Sequence, residues 1–452
     1  MAVDAEPTDS AYKPFENMSF FSNTNAGSHL LYLKVKFRNG AVSASSSKSF
    51  IVTDPARPGV FIATNGDDTN SGLFASAPVR SFANAFAIAS ANSITNIFVG
   101  TGSYRTNAGL NSGGMIAGIY ITNNYLQLSG GWNSNFTSND SYSVLDMQSQ
   151  GRVIYADAVK RIRIEGFVIQ RGGMASSYSK GAGIYFGNVS DSMITNVIIT
   201  SNSAQASTGQ ASTGQAFGGG VYIEYGSNNT IYGFIANNSV SGGDLYQQYG
   251  GGVAINNSHR NKIYATLSNN TSLYYGSGLA IYNGDYNEFH GYAVSNTNIN
   301  PGNCYCIDIR ADSGLSARSN IIGGIIERTA GKGGIYLSNS SRNTISSWVI
   351  SNYLGITSHL NCDENVIATN AVIAYNGLTG ISIYDGMSHQ IYGLVLSNQG
   401  NGIDLVYNAS YTVVSNITAG NTGYGIFTNT NPQTLIFTNY WSNNILGNIG
   451  PP

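Results

Sequence analysis

Residues 218–239 read GGGVYIEYGSNNTIYGFIANNS, and the same sentence returns at 251–272 as GGVAINNSHRNKIYATLSNNTS and at 332–352 as KGGIYLSNSSRNTISSWVISN. Each copy runs from glycine through an apolar-x-apolar triplet and a polar turn with asparagine to an apolar residue and more asparagine. The apolar residue after the turn gives Ile164, Ile194, Ile231, Ile263, Phe289, Ile321, Ile345, Ile367, Ile391, Val413 and Leu435. Their spacing falls from 30–37 residues early in the chain to 22–24 at its end. A period in this range marks a solenoid, whose units bury a core only by stacking on their neighbours. The units are too short for helix pairs and rich in β-formers, so the solenoid is expected to be built of strands.

Alternation within each unit assigns the faces. Val221 and Ile223 point in while Tyr222 and Glu224 point out, and Ile307 and Ile309 point in while Asp308 and Arg310 point out. The turn aligns Asn229, Asn261, Asn287, Asn343 and Asn365, interrupted by Ser192, Ser319 and His389. Stacked asparagines hydrogen-bond along the axis as identical side chains do in cross-β ladders, so these residues belong to the scaffold.

The chain has 452 residues, 42% hydrophobic but only 10% charged, with 55 glycines and 30 tyrosines. Ordinary soluble proteins carry roughly 25% charged residues, so Asn, Ser, Thr and Tyr supply the polar surface here. A net charge of -2 argues against a nucleic-acid partner, which needs a basic footprint. Cys304, Cys306 and Cys362 form neither a disulfide framework nor a zinc pair. No apolar run reaches the ~18 residues of a membrane span. The opening MAVDAEPTDSAYKP has no basic n-region or apolar core of a signal peptide, and is expected to lie within a longer exported protein.

Residues 1–54 differ from the rest. HLLYLKVKFRNGAVSASSSKSFIV (29–52) alternates over Leu30–Phe37 and Ser47–Val52, with Asn39-Gly40 between them as a hairpin signal. This passage resembles the last strands of a bacterial immunoglobulin-like module. Residues 55–452 are expected to form the solenoid, with 55–110 as its N-terminal cap and first strands. In that cap, GVFIATNGDDTNSG (59–72) leads into a helix over about Phe82–Ser90 with Ser81 as N-cap, and a strand follows. This order, together with LSGGWNSNFTSNDSYSVLD (128–146), resembles the entry segment and early coils of the right-handed parallel β-helix proteins of the pectate-lyase-like superfamily. The resemblance spans roughly 59–450. It implies an all-β right-handed parallel β-helix of about 12 coils whose open end is plugged by the helix, and a bacterial secreted or cell-surface location.

Two outward columns follow the glycine. One holds Tyr185, Tyr222, Asp308, Tyr336 and Asp404; the other holds Glu224, Tyr282, Arg310, His359 and Tyr384. Insertions at Ser203–Phe217, Ser239–Gly250, Thr297–Asn303 and Arg328–Lys332 are placed to wall a groove beside them. Asp308, Arg310, Tyr336 and His359 fall within three coils and are the candidate catalytic set: Arg310 or His359 as base and Tyr336 as acid of an elimination. Hydrolysis needs two carboxylates ~5–9.5 Å apart, whereas Glu224 and Asp404 lie three and four coils from Asp308, roughly 14 and 19 Å at ~4.8 Å per coil. No run matches the paired aspartates of polygalacturonase-like enzymes or the Asp-Pro-His of alginate epimerases.

The tyrosine row suits stacking on sugar faces or anchoring a protein partner. Tyr185, Tyr222, Glu224, Tyr282, Tyr384 and Asp404 are therefore the candidate ligand-binding residues. Asp67, Asp68 and Asn70 carry the oxygen ligands a calcium ion would take, although turn chemistry accounts for the same residues. No cofactor is required by the sequence. Two functions follow: an exported cell-surface scaffold or adhesin contacting glycans, which the residues favour, and a polysaccharide lyase working in the groove.

Overall fold

The computed structural model describes residues 2–3, 27–34, 41–44, 46–54, 57–106, 117–176, 178–206, 214–242, 248–299, 305–428, 435–436 and 440–450. From Val60 onward the chain coils into stacked parallel strands. The triplet after each glycine builds a 13-stranded parallel front sheet, one strand per coil, from Ala117–Ile121 through Val221–Glu224, Tyr305–Arg310 and Leu354–His359 to Gly447–Gly450. The segment after the asparagine turn builds a second parallel ladder. It includes Arg163–Gln170, Thr230–Ala236, Lys262–Ser268 and Ile321–Glu327, and from Thr344 it divides into two short strands per coil. Thirteen rungs accord with the expected dozen.

Between the two ladders lies one continuous core of isoleucine, valine and leucine from Val60 to Ile426. Ile164, Ile194, Ile231, Ile263 and Phe289 stack in register along it. The next member is Ile322, not Ile321, and the column later continues through Val414 and Ile436 rather than Val413 and Leu435. The reason is visible at the corners. The residue before each stacked turn residue sits in the left-handed region, as Asn228, Arg260, Tyr286, Ser319 and Arg342 all do, with φ between 55° and 59°. That conformation turns the chain sharply, and the following residue then points inward. Ser319 is thus the corner itself, and Asn320 is the member of the asparagine ladder.

Each ladder asparagine bridges two coils. Asn261 Oδ1 accepts from the backbone N–H and Nδ2 of Asn229, at 3.1 and 3.0 Å, and the pattern runs through Asn287, Asn320 and Asn343 to Asn365. A second ladder at the opposite corner was not read as a column from the sequence. It links Asn202, Asn238, Asn270 and Asn296, and resumes through Asn352, Asn376, Asn398, Asn421 and Asn444. All but Asn444 are buried, so the ladders satisfy backbone groups that water cannot reach.

The helix Phe82–Ala91 begins at Ser81, whose Oγ accepts from the Asn84 N–H. Its Phe82, Ala85 and Ala89 are buried against the first coil, with Phe82 edge-on to Tyr104. Ahead of the coils, Gly27–Leu33 pairs antiparallel with Ser46–Val52. The first strand starts earlier than Leu30, and the Asn39-Gly40 turn lies outside the described residues.

His389 follows Asn365 in the first ladder, where Gln390 N–H donates to the Asn365 carbonyl. Its ring is buried and lines a small internal cavity with Ser358 and Asn365. Burial lowers its pKa below the usual 6.5, against the pull of the Asp385, Cys362 and Asn365 backbone and the Asp363 charge. The fold therefore holds the neutral ring, and as pH falls below about 6.5 the unfolded chain takes up a proton first. This group's stability contribution is present above that pH and is lost at up to about 1.4 kcal/mol per pH unit until the folded ring titrates. His389→Asn should flatten the dependence of the denaturation midpoint between pH 7 and 5; an unchanged slope would rule this out.

Candidate functional site

The front sheet sets the expected columns in register. Tyr222, Ala254, Ala280, Asp308, Tyr336 and Thr357 follow one another, as do Glu224, Asn256, Tyr282, Arg310, Ser338 and His359. Exposure differs from the expectation, however. Tyr222 is fully buried and Asp308 is only 1% exposed. The insertions fold into two small parallel ladders of their own. One runs Gly173–Ser176, Ser203–Ala206, Ser239–Gly242, Thr271–Ser272 and Thr297–Asn298; the other joins Tyr178–Lys180, Gln215–Phe217 and Gln248–Tyr249. Phe217, Tyr249 and Tyr275 from this layer stack ring on ring at 5.2 and 5.0 Å and cover Tyr222, Ala254 and Ala280. Strand alternation gave the direction of these side chains correctly, but a second layer covers them.

Where that layer ends, an open cleft of about 590 Å³ remains, lined among others by Tyr249, Tyr275, Tyr282, Arg310, Asp312 and Asn339. Arg310 forms its base. Its Nε and Nη2 each donate to one oxygen of Asp308 at 2.5 Å, a bidentate geometry that fixes the guanidinium plane. The Tyr275 ring centroid lies 3.5 Å from its Cζ and that of Tyr336 5.2 Å away, both within cation–π range. Burial alone would lower the guanidinium pKa, but the Asp308 charge and hydrogen bonds hold it above its ordinary range. Burial in turn raises the Asp308 carboxyl against the pull of Arg310. At the rim, Tyr282 O–H donates to Asp312, and its ring packs 4.8 Å from Tyr249.

The other candidates divide between places along the sheet. Tyr336 O–H lies 3.4 Å from His359 Nδ1; burial pushes its phenol up to about 12. Burial, aided by the Lys332 charge, lowers His359. Neither ring lines the cleft described above. Glu224 closes a separate buried knot, accepting from Lys180 Nζ at 2.7 Å, Tyr185 O–H at 3.0 Å and Tyr222 O–H at 3.2 Å. Tyr384 sits in the later coils, between His359 and Tyr407. Asp404, accepting from Thr379 and Asn401, is raised by burial. Sequence reading missed Tyr249, Tyr275 and Asp312: Tyr249 lies at the end of the Ser239–Gly250 insertion, Tyr275 precedes the glycine of the next coil, and Asp312 lies in the loop after Tyr305–Arg310. The signal for the first two was an aromatic residue directly before the glycine in successive coils.

Asp67, Asp68 and Asn70 tie their loop to its surroundings. Asp67 accepts from the backbone and hydroxyl of Thr69, Asp68 accepts from the Arg80 and Ser81 N–H groups, and Asn70 donates to the Pro78 carbonyl. Among the described residues no three His, Cys, Asp or Glu side chains gather as a metal centre requires.

Residues 294–448, about the last third of the chain, match the family model described as periplasmic copper-binding protein (NosD). Copper favours gathered imidazole and sulfur donors. Cys306 and Cys362 are each buried and two coils apart, with burial raising the Cys306 thiol to about 11, so the described residues do not fit a copper centre. No curated protein matches the chain. Among solved structures, the A-module of the Azotobacter vinelandii mannuronan C-5 epimerase AlgE4 is 12% identical, covering 86% of this chain and 98% of that one at a TM-score of 0.33. The pectate lyase Pel9A is 16% identical over 69% and 78%, at 0.28. The Streptococcus pneumoniae surface adhesin PfbA is 12% identical over 77% and 88%, at 0.30. At these values the likenesses add nothing to the strand ladders themselves. By those ladders, the chain is an all-β protein of the right-handed parallel β-helix class, preceded by a short antiparallel sheet.

Proposed function

We propose that this protein is an exported envelope or cell-surface β-helix that holds an uncharged, hydroxyl-rich glycan in the cleft over Arg310 without cleaving it. The observation that carries this reading is the locked Arg310–Asp308 pair under a tyrosine wall. A guanidinium held by a bidentate carboxylate and raised above its usual range makes a poor base, and the same pair fixes a flat donor surface at the cleft floor. Tyr282, half-buried at the rim, offers a ring for stacking on sugars, while Asp312 and Asn339 offer hydrogen bonds to hydroxyls. Asp308 already neutralises the guanidinium and Asp312 adds a second carboxylate to the cleft lining, which disfavours an acidic polymer such as a lyase would need. Export is supported by the periplasmic description of the family matched over 294–448. Residues 1–54 are read as an immunoglobulin-like segment ahead of the solenoid.

Titration calorimetry with hexamers of neutral glucans, mannans and galactans, beside oligogalacturonate, tests the proposal. A neutral oligomer should bind, and Tyr282→Ala should weaken it about tenfold, the loss of roughly 1.4 kcal/mol of ring stacking. Preferred binding of the uronate, with release of unsaturated product, would establish the lyase instead.

A further inference from the structure

The second ladder carries an outward column with a different chemistry from the front sheet. Val144, Val168, Ile198, Phe234, Thr266, Tyr292, Ile325, Trp348, Val372, Leu394 and Ile417 are successive register partners. They occupy eleven consecutive coils, about 48 Å at ~4.8 Å per coil, without one charged residue. None is buried: Trp348 is 51% exposed, Phe234 43% and Ile417 39%, and the others are intermediate. The outward columns of the front sheet, by contrast, mix Tyr, Asp, Asn, Ser and Arg. Strand propensity accounts for single valines or isoleucines facing water, but not for an unbroken line that includes Phe, Trp and Leu.

We infer that this column is the face on which a second copy of the chain packs, antiparallel about a twofold axis. A straight line of uncharged side chains, apolar at all members but Thr266 and the hydroxyl of Tyr292, is complementary to itself when reversed, as a twofold interface requires. Full overlap puts the middle member, Tyr292, at the axis and brings Phe234 of each copy opposite Trp348 of the other. At about 150–250 Å² for a large side chain, the column leaves on the order of 600 Å² uncovered. Ile350 and Leu396, two residues beyond Trp348 and Leu394 on the same face, extend it toward the ~800 Å² per partner of a standard interface. A patch of this size stands at the upper end of the largest apolar patch on a typical monomer, which is often functional. The rim is polar and of mixed sign: Glu327 accepts from Tyr292 and Arg328, and Lys262 pairs with Glu288. A net charge of only -2 opposes self-association little.

Sedimentation velocity and light scattering over a concentration series, with the whole chain, test the inference. The wild type should reach twice the chain mass, with Trp348 fluorescence shifting to the red on dilution. Trp348→Lys should weaken the dimer at least about 100-fold, because each interface would then bury two ammonium groups, with circular dichroism and melting temperature unchanged. Ile417→Lys should act in the same direction and decides the matter if Trp348→Lys does not fold. Leu315→Lys, at a residue 53% exposed in the loop after Tyr305–Arg310, should leave the dimer intact. A wild type that stays monomeric at high micromolar concentration, or folded column variants that still dimerise, would overturn the inference.

Discussion

Asp308→Asn should lower the stability of the coils around residue 308 by about 3–5 kcal/mol, the cost of breaking a buried ion pair by removing one partner. Asp308 has no exposed side-chain surface and Arg310 only 15%, so water cannot replace the lost carboxylate. An amide keeps one acceptor oxygen and presents an N–H to a group that is itself all donors. Arg310 is trapped between Tyr275 and Tyr336 and cannot swing out to solvent without opening the aromatic layer. Urea denaturation followed by tyrosine fluorescence measures the loss. The double variant Asp308→Leu/Arg310→Met should regain much of it, because well-packed apolar residues of similar volume replace buried pairs at little cost. That variant should fold yet bind no glycan. A folded, stable Asp308→Asn with unaltered binding would show that the pair anchors neither the fold nor the cleft.

The second large effect is expected at the middle of an asparagine ladder. Asn270 donates its backbone N–H and Nδ2 to Asn296 Oδ1 at 3.0 Å and Nδ2 also to the Ile235 carbonyl at 2.8 Å, while its Oδ1 accepts from Asn238 N–H and Nδ2 at 3.1 and 3.0 Å. Asn270→Ala leaves the N–H and side-chain amide of Asn238 and the Ile235 carbonyl short of a partner, all of them in the interior. At about 1–3 kcal/mol for each buried group left unsatisfied, the loss should reach roughly 3–5 kcal/mol. Asn444→Ala, at the partly exposed end of the same ladder, should cost less than half as much, because water can take over its bonds. Equal denaturation midpoints for the two variants would mean that the ladder does not stabilise the coils cooperatively.

Much of this architecture was legible because a repeat states the same instruction many times. The glycine–apolar–asparagine sentence recurs with enough fidelity that the first outward column of the front sheet was aligned correctly from Tyr185 to Asp404, and the second from Glu224 to His359, beyond which the register shifts between Ile383 and Asp385. Legibility failed where the repeat was locally ambiguous. In Ser319-Asn320-Ile321-Ile322 two polar residues precede two apolar ones, and a period of two cannot choose between adjacent registers. The left-handed corner at Ser319 makes that choice.

What the sequence determined by itself was therefore the β-solenoid: its period, its capping helix, its inward isoleucines and one of its two asparagine ladders. These rest on nearest-neighbour stacking, which each repeat encodes locally. Only the tertiary structure decided which outward residues meet water, because the insertions that cover Tyr222, Ala254 and Ala280 obey no period. Among the described residues the aromatic cover runs no further than Tyr275, and the cleft over Arg310 opens beside it, a boundary set by packing between segments far apart in the chain. The same holds for the apolar column from Val144 to Ile417. Its members are 22 to 36 residues apart, and only the stacking of coils brings them into line.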